Sequence, residues 1–370
     1  MHKVTFFPIG NADSCLIEFA NRRVMMFDFA DVANKADPDD KRIDLETALR
    51  DALDANDQTE LDTLALSHLD RDHINRSSEV FWLDHAKAYQ DDERIKVKTF
   101  WAPAAALLEV NPSEEARIIR QELRHRLKGN YGVRIFSRPR ALDQWMRDND
   151  IDPDSRRHLL TDAGQLAPGF TLAADDAEFF VHAPFAERCT DGRLIERNEA
   201  GLYMQATFRV DGVYSRVILA ADCGYEVIEG IIRTTRAHGN DIRLQWDLHN
   251  IPHHSSYKSL AAEKGESKTT PSDTMRWLYE TQGQVKGYLV STSDPIPSKD
   301  TDQPPHRQAA AYYRDVAKSL SGRFLVTMEN PSNAVPEAMV FTIDRRGPTL
   351  KMVIITGVGV ATAAAAPRAG

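Results

Sequence analysis

The densest run of chemistry-bearing side chains is Ser67-His68-Leu69-Asp70-Arg71-Asp72-His73. It holds the pattern His-x-Asp-x-Asp-His directly after an apolar stretch. Imidazole nitrogens and carboxylate oxygens are common ligands of zinc and other divalent transition metals. In an extended segment His68 and Asp70 share one side, while Asp72 and His73 turn into the first helical turn. A polar loop capped by Asp72 is the plain alternative. Two further stretches have the same form. Ile218–Gly224 ends an apolar run in Asp222-Cys223-Gly224, where a carboxylate can bridge two metals; taken alone, Asp222 would read as a helix N-cap. Leu248–Ser256 places His253 and His254 at the end of another apolar run, suited to one ligand and one acid or substrate contact. Three strand ends of one chemical type point to metal-assisted hydrolysis. His182, in Val181-His182-Ala183-Pro184, is an additional ligand candidate, although a core or surface histidine fits that setting better. Asp13 and Asp28 are candidates for orienting ligands.

Elements must bring these stretches together. Short apolar runs at Val4–Phe7, Cys15–Phe19 and Val24–Phe29, separated by Gly10-Asn11 and Asn21-Arg22, predict successive strands. Ile43, Leu45, Leu49 and Leu53 have helical spacing within an acidic stretch. Leu61–Ser67 and Lys96–Trp101 predict strands, and Ser113–Trp145 is helical in pattern. Strand-like runs resume at Glu178–His182, Leu202–Val210, Arg216–Ala221, Leu244–Ile251, Gly287–Ser291, Arg323–Met328, Ala338–Ile343 and Leu350–Ile355. Strand ends that hand over to helices are where α/β proteins place their sites. The expectation is one α/β hydrolase domain over residues 1–356, with a helical insertion over about 76–165. The Ala-rich 357–370 is expected as a disordered tail.

Composition bounds the function classes. The chain has 370 residues, 42% of them hydrophobic, and a net charge of −9. That excludes collagenous, disordered and disulfide-stapled architectures. Cys15, Cys189 and Cys223 are odd in number and far apart, which predicts thiols in a reducing compartment. No signal-peptide layout opens the chain and no run is long and apolar enough to span a bilayer, so a cytoplasmic address and no membrane partner are expected. Protein partners are left open, and a homodimer is compatible.

The sequence resembles the metallo-β-lactamase-fold superfamily and, within it, the soluble hydrolase domain of the DNA-uptake protein ComEC. Phe6–Ser14 is similar to the family's opening strand and glycine-acid turn, and Met25-Met26-Phe27-Asp28 to its second strand. Ser67–His73 is similar to the metal motif in the variant with Asp at the third position. Asp222 matches the bridging carboxylate, Pro252-His253-His254 the late histidine pair, and Pro305-His306 a final Gly-His-Pro element. The chain departs from the family at Ile74-Asn75-Arg76, where Ile-Gly-Gly is usual, and at Ser255-Ser256, where Gly-Ser is usual. ComEC's membrane channel has no counterpart, so DNA uptake is not implied. The resemblance implies a four-layer αββα sandwich with its site along one edge of two sheets. It implies two divalent ions, zinc or manganese: His68 and Asp70 on the first, Asp72, His73 and one of His253 or His254 (His253 taken as the ligand) on the second, Asp222 bridging. The member of the pair that is not a ligand, His254 on that choice, is the candidate proton donor, with Asp72 as the other catalytic residue. Two such ions hold a water whose pKa falls toward about 7. Arg76, Asn198 and Lys258 are candidates for binding substrate oxygens.

The expected substrate is a phosphodiester in a nucleic acid or nucleotide. Arg117, Arg120, Arg124, Arg126, Lys128, Arg134, Arg138 and Arg140, with Tyr131 and Phe136 among them, form a basic segment able to track a phosphate backbone and stack bases. A metal-dependent hydrolase of a lactone, β-lactam, thioester or peptide is the alternative. An inactive binding scaffold is the third reading.

Overall fold

Strands with apolar residues on both faces need cover on both sides, and the computed structural model supplies it. It describes residues 1–186 and 197–351. The first sheet has nine strands in the order β15-β14-β1-β2-β3-β4-β5-β6-β7. These are β1 (His2–Phe6), β2 (Cys15–Glu18), β3 (Val24–Phe27), β4 (Glu60–Ala65), β5 (Lys96–Pro103), β6 (Val133–Phe136), β7 (Leu160–Thr161), β14 (Met339–Asp344) and β15 (Gly347–Leu350). The second has six, ordered β13-β12-β11-β10-β9-β8. They are β8 (Ala177–Ala183), β9 (Tyr203–Val210), β10 (Val213–Ala220), β11 (Trp246–Asn250), β12 (Gly283–Ser291) and β13 (Arg323–Val326). β3 through β7 run parallel, as do β10 through β13, while β1, β2, β8, β9, β14 and β15 join by antiparallel pairing.

Side-chain alternation sorts the layers. Val4, Phe6, Cys15, Ile17, Met25 and Phe27 face Phe179, Met204, Phe208, Val217, Leu219 and Leu248 in the core between the sheets. Their neighbours Leu16, Met26 and Leu64 face outward, against Leu45, Leu49, Leu53, Leu123 and Leu127 of the flanking helices. On the far side Tyr203, Ile218 and Leu289 pack on Ile228, Ile231, Ile232, Tyr313 and Val316. The result is an αββα sandwich. The helix Leu45–Ala55 starts at Asp44, whose carboxylate accepts from the Thr47 amide, and buries Leu45, Leu49 and Leu53.

Residues 76–165 carry the helices Glu114–Gly129 and Arg140–Asp148, the strand expected at Lys96–Trp101 as part of β5, and in addition β6 and β7, which extend the first sheet in parallel. The charged residues around Val133-Arg134-Ile135-Phe136 hide a four-residue strand within the segment expected as helix. Its surroundings also spend the basic charge inward. Arg120 donates to the Glu109 carbonyl, Arg124 to the Leu107 carbonyl and Arg134 to the His158 carbonyl. Arg126 is buried against Glu122 at 2.6 Å, and Arg138 pairs with Asp143 at 2.8 Å. Phe136 is fully buried and is not placed to stack a base, whereas Tyr131 is exposed and donates to Asp84. Arg117, Lys128 and Arg140 remain exposed.

Cys15 and Cys223 are buried in different cores, and burial raises the Cys15 thiol pKa well above its ordinary value. Cys189, the strand-like run beyond Lys351 and the Ala-rich tail lie outside the described residues. Among the described residues no helix is long and apolar enough to cross a membrane.

Candidate metal centre

The parallel strands of both sheets deliver their carboxyl ends to one edge. From the first sheet come Asp13, in the turn between β1 and β2, Asp28 after β3, and Ser67–His73 after β4. From the second come Asp222 after β10, His253 and His254 after β11, and Thr292 after β12. Backbone bonds stitch these ends together. The Asp13 amide donates to the Asp72 carbonyl, Asp28 to Ala65, and Phe29 to His73. The His253 amide donates to Asp222 Oδ1 at 2.9 Å.

Asp13, His73, Asp222 and His254 each offer a ligand atom, and these atoms lie within 4.8 Å of one another. All four residues are buried. His73 Nε2 is 3.5 Å from Asp222 Oδ2 and 3.7 Å from Asp13 Oδ2; His254 Nε2 is 3.5 Å from Asp222 Oδ2. Each ligand is aimed by a partner on its other side. Asp28 Oδ2 lies 2.8 Å from His73 Nδ1, and Asp28 Oδ1 accepts from the Ser67 amide at 2.6 Å. The Thr292 carbonyl lies 2.8 Å from His254 Nδ1, and the Thr292 hydroxyl donates to Asp13 Oδ1. The Asn250 amide approaches the same oxygen at 3.4 Å.

The residues fit a divalent cation. Asp13 Oδ2, His73 Nε2 and, beside them, His68 Nε2 are buried without a hydrogen-bond partner. Such orphaned polar atoms cost about 1–3 kcal/mol each unless something meets them. Two imidazoles with two carboxylates form a donor set that zinc and manganese both accept. The electrostatics agree. Burial opposes protonation of His73, but Asp28 and Asp222 outweigh it and hold its pKa well above the ordinary value. Burial opposes protonation of His254 as well, yet Asp222 and Asp72 raise it to about 9. Burial pushes the Asp13 carboxyl up to about 6, against the pull of His254 and His73. The Asp222 carboxyl sits well below the usual range, because those two histidines outweigh its burial. The pocket draws positive charge.

The other residues singled out by sequence stand around this group. His68 Nε2 is 3.2 Å from Asp70 Oδ2, and the His68 and His73 rings are 4.0 Å apart. Asp70 Oδ1 takes Arg197 Nη1 at 2.5 Å. Asp72 Oδ2 is 3.1 Å from His254 Nε2, with a side chain 36% exposed. His253 reaches Asp222 Oδ2 at 4.0 Å and is 25% exposed. Of the histidine pair, His254 joins the inner group and His253 stands at the rim. The reason is a left-handed run, with φ of 54°, 51° and 65° at His253, His254 and Ser255. Such residues cost about 1–3 kcal/mol each and persist only where the surroundings hold them. Here the His306 amide donates to the Ser255 carbonyl, and the His306 ring packs edge-on to Tyr257. Asp13, expected to support ligands, instead presents its own oxygen to the group.

Arg76 is tied to Asp31 at 2.7 Å and Glu79 at 2.8 Å. Lys258 is exposed in the turn after His254, and Asn198 lies beside Arg197 with a buried Oδ1 lacking a partner. His182 is not brought to the centre. It packs on the outer side of the second sheet, 3.1 Å from Thr235 Oγ1 and 2.9 Å from the Arg243 carbonyl. Sequence reasoning missed Thr292, Asn250 and Arg197. The glycine-acid turn before Asp13 was the one available signal for its place.

No protein-family profile matches the chain, and no curated protein matches it. Solved structures do. The chain is similar to unliganded yeast PDE1 (10% identity, 88% of this chain and 96% of that one, TM-score 0.36). It is similar to a diphosphatase of the PhnP family (12%, 83% and 93%, 0.33) and to a β-lactamase from Chitinophaga pinensis (11%, 73% and 85%, 0.32). Likeness at this level does not transfer chemistry from one chain to another.

Proposed function

We propose that the protein is a divalent-metal-dependent hydrolase of phosphodiesters, in a nucleotide or a short stretch of nucleic acid. The observation that carries this reading is the convergence of Asp13, His73, Asp222 and His254 on one buried point, with Asp13 Oδ2 and His73 Nε2 left open toward it. When bound there, the cation would polarise the attacked centre and lower the pKa of an attacking water.

The chain's own groups would do the rest. Asp28 and the Thr292 carbonyl fix the two imidazoles with Nε2 inward, and the Thr292 hydroxyl holds Asp13 by its outer oxygen. Asp72 stands at the mouth, and its carboxyl is held below the usual range by His254 against the effect of burial. It is ionised at neutral pH and can accept a hydrogen bond from the attacking water and orient it. His253, at the rim, has a pKa lowered by burial, so it is neutral at neutral pH and can offer a ring N–H as a hydrogen bond to the leaving oxygen. Lys258 and Asn198 stand on the segments beside the mouth and would contact substrate oxygens. The mixed set of two imidazoles and two carboxylates is open to manganese as well as zinc, and the exposed ammonium of Lys258 near the mouth favours an anionic phosphoryl substrate. The inward bonding of Arg120, Arg124 and Arg134 favours a short substrate over a long tracked polymer. The narrower ComEC resemblance belongs to the same reading.

The test is hydrolysis of bis-nitrophenyl phosphate, cyclic nucleotides, single- and double-stranded DNA, RNA, a lactone and nitrocefin, with and without chelator, by wild type and Asp72→Ala. Chelator-sensitive turnover of phosphodiesters alone is expected. Turnover of the lactone or nitrocefin instead would overturn the phosphoryl assignment. Full occupancy by metal with no turnover of any substrate would support the scaffold reading.

A further inference from the structure

Beside the inner group lies a second pair of ligand-type side chains that goes no further. His68 Nε2 and Asp70 Oδ2 are 3.2 Å apart, next to His73. Among the described residues, no third His, Cys, Asp or Glu atom joins them in a ligand group. A guanidinium does. Arg197 Nη1 donates to Asp70 Oδ1 at 2.5 Å, while its Nε and Nη2 donate to Glu109 Oε1 at 3.0 and 2.5 Å. The group is clamped between two carboxylates by charge-assisted bonds, and its side chain is 20% exposed.

The backbone that carries it is built into the site. The Ala200 amide donates to the Arg197 carbonyl, Leu202 to Ser67, and Ala221 to Leu202. This segment therefore threads between the strand ends that deliver His68 and Asp222. Gly201 marks how closely it passes, because a Cβ there would stand 2.6 Å from the Ala221 Cβ.

We propose that Arg197 is a fixed cation in the outer half of the centre, so that the chain works with one divalent ion in the inner group and a guanidinium where His68 and Asp70 would otherwise help hold a second. This rests on the metal-dependent reading above and revises the expectation of two metals. An arginine is permanently charged and does not exchange with solution ions. The outer charge would thus be independent of metal supply, and Asp70 would position the guanidinium rather than ligate.

The test is metal analysis and calorimetric titration of the full chain with Mn²⁺ and with Zn²⁺, for wild type, Arg197→Met, Arg197→Lys and Asp222→Asn. Wild type is expected to hold one tight ion per chain. Arg197→Met removes the cation that competes for Asp70 and is expected to tighten a second ion at least about tenfold. Arg197→Lys keeps the charge and stays at one. Two tight ions in wild type, or an Arg197→Met protein that holds one ion as before, would overturn the inference while leaving the inner group intact. If Arg197→Met fails to fold, the wild-type stoichiometry and Arg197→Lys decide. No tight ion in wild type would sink the metal reading itself and this inference with it. Loss of the single ion in Asp222→Asn separates the two questions.

Discussion

Two pairs of buried histidines in this protein have opposite electrostatics. His73 and His254 are as buried as His182 and His249. The first pair lies between carboxylates at the edge where the sheets meet. The second lies on the outer face of the second sheet, among hydroxyls, carbonyls and rings: His182 against Thr235 and the Arg243 carbonyl, His249 against Tyr203 and the Asn250 carbonyl. Burial alone drives an imidazole toward neutrality, and it lowers His182 to about 4 and His249 to about 3. At the sheet edge the carboxylates outweigh the same burial, and His254 rises to about 9. The difference shows which buried imidazoles call for a cation and which are already satisfied.

Asp222→Asn should break this contrast most sharply. It removes the charge that both inner histidines face, so divalent affinity and phosphodiester turnover should each fall by more than the ~100-fold upper range for residues that merely orient ligands. His182→Gln should leave both within about twofold. Equal losses in the two variants, by metal titration and initial rates, would erase the distinction.

The next largest effect is in stability against pH, measured by urea midpoints on chelated protein. His182 and His249 have folded pKa values below the unfolded value of about 6.5. The unfolded chain therefore binds more protons between those limits, and stability is lost as pH falls from about 6.5 toward 4, by up to about 3 kcal/mol for His182. His254 has the opposite sign. Its contribution is full below about 6.5 and is lost as pH rises to about 9. Chelated protein should be most stable near pH 6.5, and bound metal should remove the alkaline decline. A steady rise of chelated stability to pH 9 would contradict the account.

Asp28→Asn should sharpen the comparison from outside the inner group. It keeps the shape but weakens the hold on His73 Nδ1, and metal affinity should fall about 10–100-fold with little change in kcat at saturating metal. The smallest effect is expected from Arg117→Glu with Lys128→Glu, both exposed. DNA binding and its salt dependence should change less than about threefold, and a steep loss would restore the basic segment as a polyanion track. Replacing Arg120 and Arg124 would be a different experiment, because they hold backbone carbonyls.

Much of this was legible in residue order, for reasons of periodicity. Apolar runs such as Val24–Phe27 read as strands because both faces are covered, and Leu45, Leu49 and Leu53 are at helical spacing because one face is. The strand-end positions of His73, Asp222 and the 253–254 pair follow from where those runs stop. What sequence could not show depends on three-dimensional approach. The left-handed turn that puts His254 inside and His253 at the rim has no spacing signature. Asp13 is a lone acid until its amide meets the Asp72 carbonyl. Arg197 shows its partners only when its segment threads past Ser67. The arginines of 117–140 look like a free basic face because a charge count cannot see a carbonyl acceptor.

The inner group draws two members from each sheet: Asp13 and His73 from the first, Asp222 and His254 from the second. An ion held there is also a rivet through the open edge of the sandwich. Occupancy and folding then become linked equilibria, with an ion at 100 times its dissociation constant adding about 2.7 kcal/mol to the native state. Scarcity of metal would loosen the whole molecule as well as silence its chemistry.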